Sequence, residues 1–107
     1  MKVSITAGAE ADLLAIWRRR RAQRGDDGAD SLLAGLASKM EGLADFPERG
    51  AIPPELEALG IAEFRQIGLP PYRIIYRLSG EAVMIMIVAD ARRDFRTLLE
   101  ERLLRSN

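Results

Sequence analysis

The sequence contains no cysteine and no histidine among its 107 residues. That excludes disulfides, thiol chemistry, zinc sites of the Cys/His type and imidazole acid–base catalysis. Any chemistry must come from carboxylates, arginine, lysine, tyrosine or hydroxyls. Aromatic residues make up only 6% of the chain, which is poor material for a base-stacking platform. The formal net charge is zero, which argues against binding nucleic acid by bulk charge alone, and no direct sequence-specific DNA binding is expected. Long apolar runs are missing too. The longest, Ala82 to Ala89, has eight residues and reads as a strand rather than a membrane span. Glu10 and Asp12 interrupt the stretch where a signal-peptide core would lie, so a cytoplasmic location with no membrane partner is expected. No phosphate loop of the GxxxxGK type occurs, since Gly25-Asp26-Asp27-Gly28 has no lysine behind it.

What is present suffices for one domain spanning residues 1–107, with 48% hydrophobic residues for a core and 30% charged residues for a surface. The zero charge conceals a pattern. Residues 1–25 carry six basic against two acidic residues, residues 26–63 two against nine, and residues 64–107 eight against five. Fourteen of the sixteen basic residues are arginine, the residue suited to planar, multi-donor contacts, although codon bias explains the same excess.

Hydrophobic periodicity gives the order β-α-α-β-β-β-α. Val3 and Ile5 alternate with polar neighbours over residues 2–6, a first strand whose partner the sequence leaves open. Leu13, Ile16 and Trp17 share a face of a helix from 7 to about 24, started by Thr6 or Gly8 and ended by Gly25. Leu32, Leu33, Leu36, Met40 and Leu43 mark a second helix over about 29–44, and so short a break implies an antiparallel hairpin. Residues 45–61 are irregular, with one helical turn at Glu55–Leu59. Strands are expected at 62–67, 72–78 and 83–88, with a turn at 68–71 and a tight turn at Ser79-Gly80. The last strand is apolar throughout and should be central. Asp94 reads as the N-cap or a first-turn acid of a final helix bearing Phe95, Leu98, Leu99 and Leu103, and Ser106 and Asn107 should fray. The class is therefore α+β, a small antiparallel sheet against a helical hairpin with a C-terminal helix.

The candidate recognition residues are arginines. Arg65, Arg73 and Arg77 would form a polar patch if adjacent strands bring them to one face, or else would pair with Glu63, Glu81 or a helix carboxylate. Arg92, Arg93 and Arg96 cluster where the chain leaves the sheet and would hold an anion or an acidic partner, unless Asp90 and Asp94 merely neutralise them. Asp26, Asp27 and Asp30 crowd together, but acids at a helix start serve the dipole and the cap, so no metal and no cofactor is expected.

Several pieces taken in order resemble the ParE branch of the RelE/ParE toxin superfamily, the plasmid-stabilisation toxins of type II toxin–antitoxin modules. They are Phe46-Pro47-Glu48-Arg49-Gly50, Pro54-Glu55-Leu56, Glu63-Phe64-Arg65, Pro71-Tyr72-Arg73-Ile74-Ile75-Tyr76-Arg77, Ala91-Arg92-Arg93-Asp94 with Leu98-Leu99, and Ala9 to Trp17. The resemblance implies the same α+β fold and a toxin that poisons DNA gyrase by binding and causes growth arrest. It implies neutralisation by a cognate antitoxin, a small DNA-binding protein whose C-terminal segment wraps the toxin as helix and strand, in a heterotetramer or larger assembly. That segment would lie on the hairpin and an exposed sheet edge, near Leu13, Trp17, Leu36 and Met40; Arg65, Arg73, Arg77, Arg92, Arg93 and Arg96 would meet the target. RelE-type relatives cut mRNA in the ribosome instead, and an inert antitoxin-binding module is a further reading. This chain departs from the RNase pattern, with no histidine, lysine only at Lys2 and Lys39, and no tyrosine after Tyr76. Arginine is a poor general base, so Glu63, Asp90 or Asp94 would have to serve. Many ParE-like chains carry histidine near the position of Asp90.

Overall fold

The computed structural model describes residues 1–104. A first strand, β1 (Lys2–Ile5), leads into a long helical segment, α1 (Ala7–Glu41), and a 3-10 turn (Gly42–Ala44). After an irregular stretch come a short helix α2 (Pro54–Glu57), strands β2 (Phe64–Leu69), β3 (Tyr72–Ser79) and β4 (Ala82–Asp90), helix α3 (Phe95–Leu99) and a π-helical turn (Glu100–Leu104). The fraying end expected at Ser106 and Asn107 lies outside the described residues.

Thr6 is the helix start: its side-chain oxygen accepts from the Ala9 N–H at 3.2 Å, and its hydroxyl donates to the Ile85 carbonyl at 2.8 Å. One residue therefore caps α1 and fastens it to the sheet. The helix does not run straight. Gly25 sits at φ 75° and ψ −178°, a conformation that favours glycine, and divides α1 into arms of 7–24 and 26–41. A straight 35-residue helix would measure about 52 Å, more than the 41 Å longest dimension of the molecule. Trp17 Nε1 donates to Asp30 Oδ1 at 2.9 Å across the bend, although thirteen residues of straight helix would separate them by about 20 Å. The arms thus form the expected hairpin, and Asp26 and Asp30 take part in closing it, Asp26 through Arg21 at 2.7 Å. Among the described residues no three metal-ligating side chains converge.

The sheet has four strands in the order β1-β4-β3-β2. The three later strands form the expected antiparallel meander, while β1 pairs with β4 in parallel, so the sheet is mixed rather than wholly antiparallel. The apolar β4 is interior, as its composition requires. It also carries a bulge. Ile75 faces Ile87 and Tyr76 faces Ile85, leaving Met86 as an extra residue. The bulge shifts the alternation, so Val83, Ile85 and Val88 face the hairpin while Ile87 and Ala89 face the other way.

Each face of the sheet has its own core. The hairpin covers one with Ala9, Leu36, Met40 and Leu43 against Ile74, Tyr76, Val83, Ile85 and Val88. Leu56 and the C-terminal Phe95, Leu98 and Leu99 cover the other, against Phe64, Ile75, Ile87 and Ala89. No helix among the described residues is long and apolar enough to cross a membrane.

Candidate functional site: an apolar groove and an arginine surface

An open apolar surface lies where β1 meets the hairpin. Val3 and Ile5 from the strand, Leu13 from the first arm, and Leu33, Ala37 and Met40 from the second line a groove of about 430 Å³. It continues along the first arm past Leu14 to Trp17. Ile5 and Leu14 are 46% and 47% exposed, large values for such side chains. The cause is local: small residues at Ala34 and Ala37 hold the hairpin face open where larger ones would close it. Leu13, Trp17 and Met40 border this trough. Leu36 does not, because it is completely buried in the core between hairpin and sheet. Leu14, Leu33 and Ala37 replace it. Their positions follow only once the bend at Gly25 fixes how the two arms face each other.

Beside the groove runs an open strand edge. Lys2 and Thr6 donate to Glu81 and Ile85 of the neighbouring chain segment. Alternate residues of a parallel strand bond to the same side, so Val3 and Ile5 direct their N–H and C=O groups away from β4. As β1 ends the sheet, no strand receives them.

The arginines divide into two groups. Arg65 does not join Arg73 and Arg77: the register puts it opposite Tyr76 on the hairpin face, while Arg77 stands opposite Phe64 on the other. Arg65 Nη1 donates to the carbonyls of Glu48 and Gly50 at 3.2 and 2.8 Å, tying down the irregular loop. Arg73 is bound bidentately to Glu55 at 2.8 and 2.9 Å, donates to Gln66 Oε1 at 2.7 Å and stacks 3.9 Å over the Phe95 ring. Both guanidinium groups hold the fold together, which corrects the expectation of a shared patch. Arg77, Arg92, Arg93 and Arg96 are exposed, the last three on the turn after β4 and on α3.

Of the three carboxylates named for acid–base chemistry, Glu63 is exposed and Asp90 and Asp94 are engaged. Arg92 hydrogen-bonds Asp90 through side chain and backbone and lowers its pKa to about 2. The Thr97 hydroxyl and N–H lower that of Asp94, which caps α3. Arg73 lowers that of Glu55. The Tyr76 hydroxyl is buried, which raises its pKa, and it bridges Pro47 O at 2.8 Å and Gly50 N at 3.0 Å. Gly50 is required there, since a Cβ would lie 2.6 Å from the Gln66 carbonyl and 2.7 Å from that hydroxyl.

The family model described as the ParE toxin of the type II toxin–antitoxin system, parDE, matches residues 3–95. The chain belongs to the ParE toxin family. No curated protein sequence matches it. Its fold is similar to that of a solved chain from the chromosomal ParDE TA system of P. aeruginosa, with a TM-score of 0.71 at 22% identity, over 84% of this chain and 95% of that one.

Within this ParE-family chain, one element went unforeseen by sequence reasoning. Strand β1 ends opposite Ile85, and two side chains close the edge of β4 beyond it. Asp12 Oδ2 accepts from the Val88 N–H at 3.0 Å, and Arg102 donates to the Met86 carbonyl at 3.0 Å. The two side chains also bind each other at 3.0 and 3.1 Å. Asp12 lies ninety residues from Arg102 in sequence, so no local pattern announces the pair.

Proposed function

We propose that this ParE-family chain is the toxin of a toxin–antitoxin module. On this reading it inhibits DNA gyrase by binding, and a cognate antitoxin neutralises it by covering the groove between β1 and the helical hairpin. The observation that carries the antitoxin part is the coincidence of an apolar trough with a free strand edge. An amphipathic helix fits the trough from Ala37 to Trp17, and an extended segment adds to Val3 and Ile5. The apolar area supplies affinity, and the backbone groups set register.

Action by binding rather than cleavage is supported by the state of the titratable groups. Cleavage through a 2′-hydroxyl needs a base and an acid near the phosphate. Asp90 and Asp94 are held as carboxylates by Arg92 and Thr97, and the Tyr76 hydroxyl is buried between two backbone groups. Arg77, Arg92, Arg93 and Arg96 remain to engage a target surface, whereas Arg65 and Arg73 do not.

The test is induction of the chain without antitoxin in cytoplasmic expression, with plasmid supercoiling and mRNA integrity followed in the same cells. Growth arrest with altered supercoiling and intact mRNA is expected. Codon-positioned mRNA cuts with normal supercoiling would replace this reading with a RelE-like endonuclease. Normal growth with retained antitoxin binding would mark an inert binding module.

A further inference from the structure

A second cleft, separate from the groove, lies between the first arm of α1 and the end of the sheet where Tyr72 faces Asp90. It holds about 140 Å³, and its polar lining is Asp12, Arg19, Tyr72, Asp90 and Arg93 over an apolar floor that includes Ile16. Both acids are already matched, Asp12 by Arg102 and Asp90 by Arg92. The guanidinium groups of Arg19 and Arg93 have no ion pair or hydrogen bond among the described residues, and neither has the Tyr72 hydroxyl. Four arginines thus face two carboxylates in and beside the cleft, Arg19 also acting through space on Asp90, which leaves an excess of positive charge and a free hydroxyl in a chain whose overall charge is zero. Apolar walls concentrate such a field.

We propose that this cleft binds a single phosphate group through Arg19, Arg93 and Tyr72. The donors come from three elements: the first arm of α1, the start of β3 and the turn after β4. Donors approaching from separate directions suit the several oxygens of a tetrahedral phosphate. A planar carboxylate is better served by one bidentate fork, as Glu55 is by Arg73. The volume, about that of a few water molecules, admits one phosphate and excludes a stacked base. A nucleic-acid backbone and a free nucleotide both offer this group. The assignment does not depend on the gyrase reading, because binding is measured on the isolated chain.

The experiment is amide and arginine Nε NMR of the whole labelled chain at constant ionic strength. The titrants are inorganic phosphate, a nucleoside triphosphate, a short single-stranded oligonucleotide and a polyglutamate peptide. Saturable shifts confined to Arg19, Tyr72 and Arg93 are expected with phosphate. The double variant Arg19→Ala/Arg93→Ala should weaken binding about tenfold or more, and Arg96→Ala by less than about twofold. These arginines are exposed, so the fold should survive, as circular dichroism would check. Tighter binding of the oligonucleotide than of the triphosphate assigns the site to a nucleic-acid backbone, and the reverse assigns it to a free nucleotide. Shifts spread over Arg77 and Arg96 without saturation would overturn the proposal. So would saturation by the glutamate peptide but not by phosphate.

Discussion

The two edges of the sheet are finished in opposite ways. At β2 the edge is covered at its middle. Ala51 pairs with Gln66 in both directions, at 3.2 and 2.7 Å. Arg65 and the Tyr76 hydroxyl bind the adjoining loop, and the Arg73–Glu55 pair fixes α2 beside it. At β1 the backbone groups of Val3 and Ile5 meet no strand, and the surface next to them is apolar. Exposed strand edges invite pairing, and proteins usually blunt them. A chain that seals one edge with several polar contacts, and the upper part of β4 with Asp12 and Arg102, leaves its remaining open edge as the natural place for a partner strand.

The largest effect should come from filling the open side. Ala37→Arg places a long charged side chain in the groove from an exposed helical position, where arginine is a good helix former. Antitoxin affinity should fall by about a hundredfold or more, with thermal stability nearly unchanged; calorimetric titration and melting read both. On the sealed side, Arg73→Ala should lower stability by about 2–4 kcal/mol, because it removes a partly buried ion pair and the packing on Phe95. Urea denaturation measures this. Tyr76→Phe should cost about 1–2 kcal/mol by leaving the Pro47 carbonyl and the Gly50 N–H without their partner. Faster amide exchange at Gly50 would accompany it.

Acid should act more gently, and also on the sealed side. Glu55 and Asp90 both have folded-state pKa values below their ordinary ones of 4.5 and 3.8. Their contribution is fully present above those values and is lost as pH falls through the lowered ones, toward about 2 for Asp90. Stability should therefore decline with acid below about pH 4.5, and Glu55→Gln should flatten the upper part of that decline. Asp90 pairs with an Arg92 side chain that lies mostly in solvent, so its share is screened and small.

The elements of the fold were legible in the sequence, the asymmetry of its edges was not, and the gaps have physical causes. The hairpin follows from the periodicity of Leu13, Ile16 and Trp17 and of Leu32, Leu36 and Met40, with Gly25 between them. Its second arm begins at residue 26 rather than about 29 because Gly25 alone makes the bend. The spacing of Leu36 marks it as apolar but cannot distinguish a core residue from a groove residue; only the facing sheet decides. The grouping of Arg65 with Arg73 failed because the register sets Arg65 opposite Tyr76 and Arg73 opposite Gly68, and register assigns the faces. The uniformly apolar β4 hides the bulge at Met86, since no alternation exists there to be broken. The parallel pairing of β1 and the Asp12–Arg102 closure are long-range facts with no local signature. The arginines near the end of β4 were visible as a cluster, yet Arg19 joins Arg93 only through the folded hairpin.

The account rests on the claim that β1 is the edge an antitoxin strand adds to. Amide hydrogen exchange at Val3 and Ile5 tests it most directly, measured on the chain alone and bound to the C-terminal segment of its antitoxin. Both amides should exchange rapidly in the free chain and become strongly protected in the complex, while Gln66 on β2 stays as it was. Unchanged exchange at Val3 and Ile5, with new protection appearing along β2 instead, would contradict it.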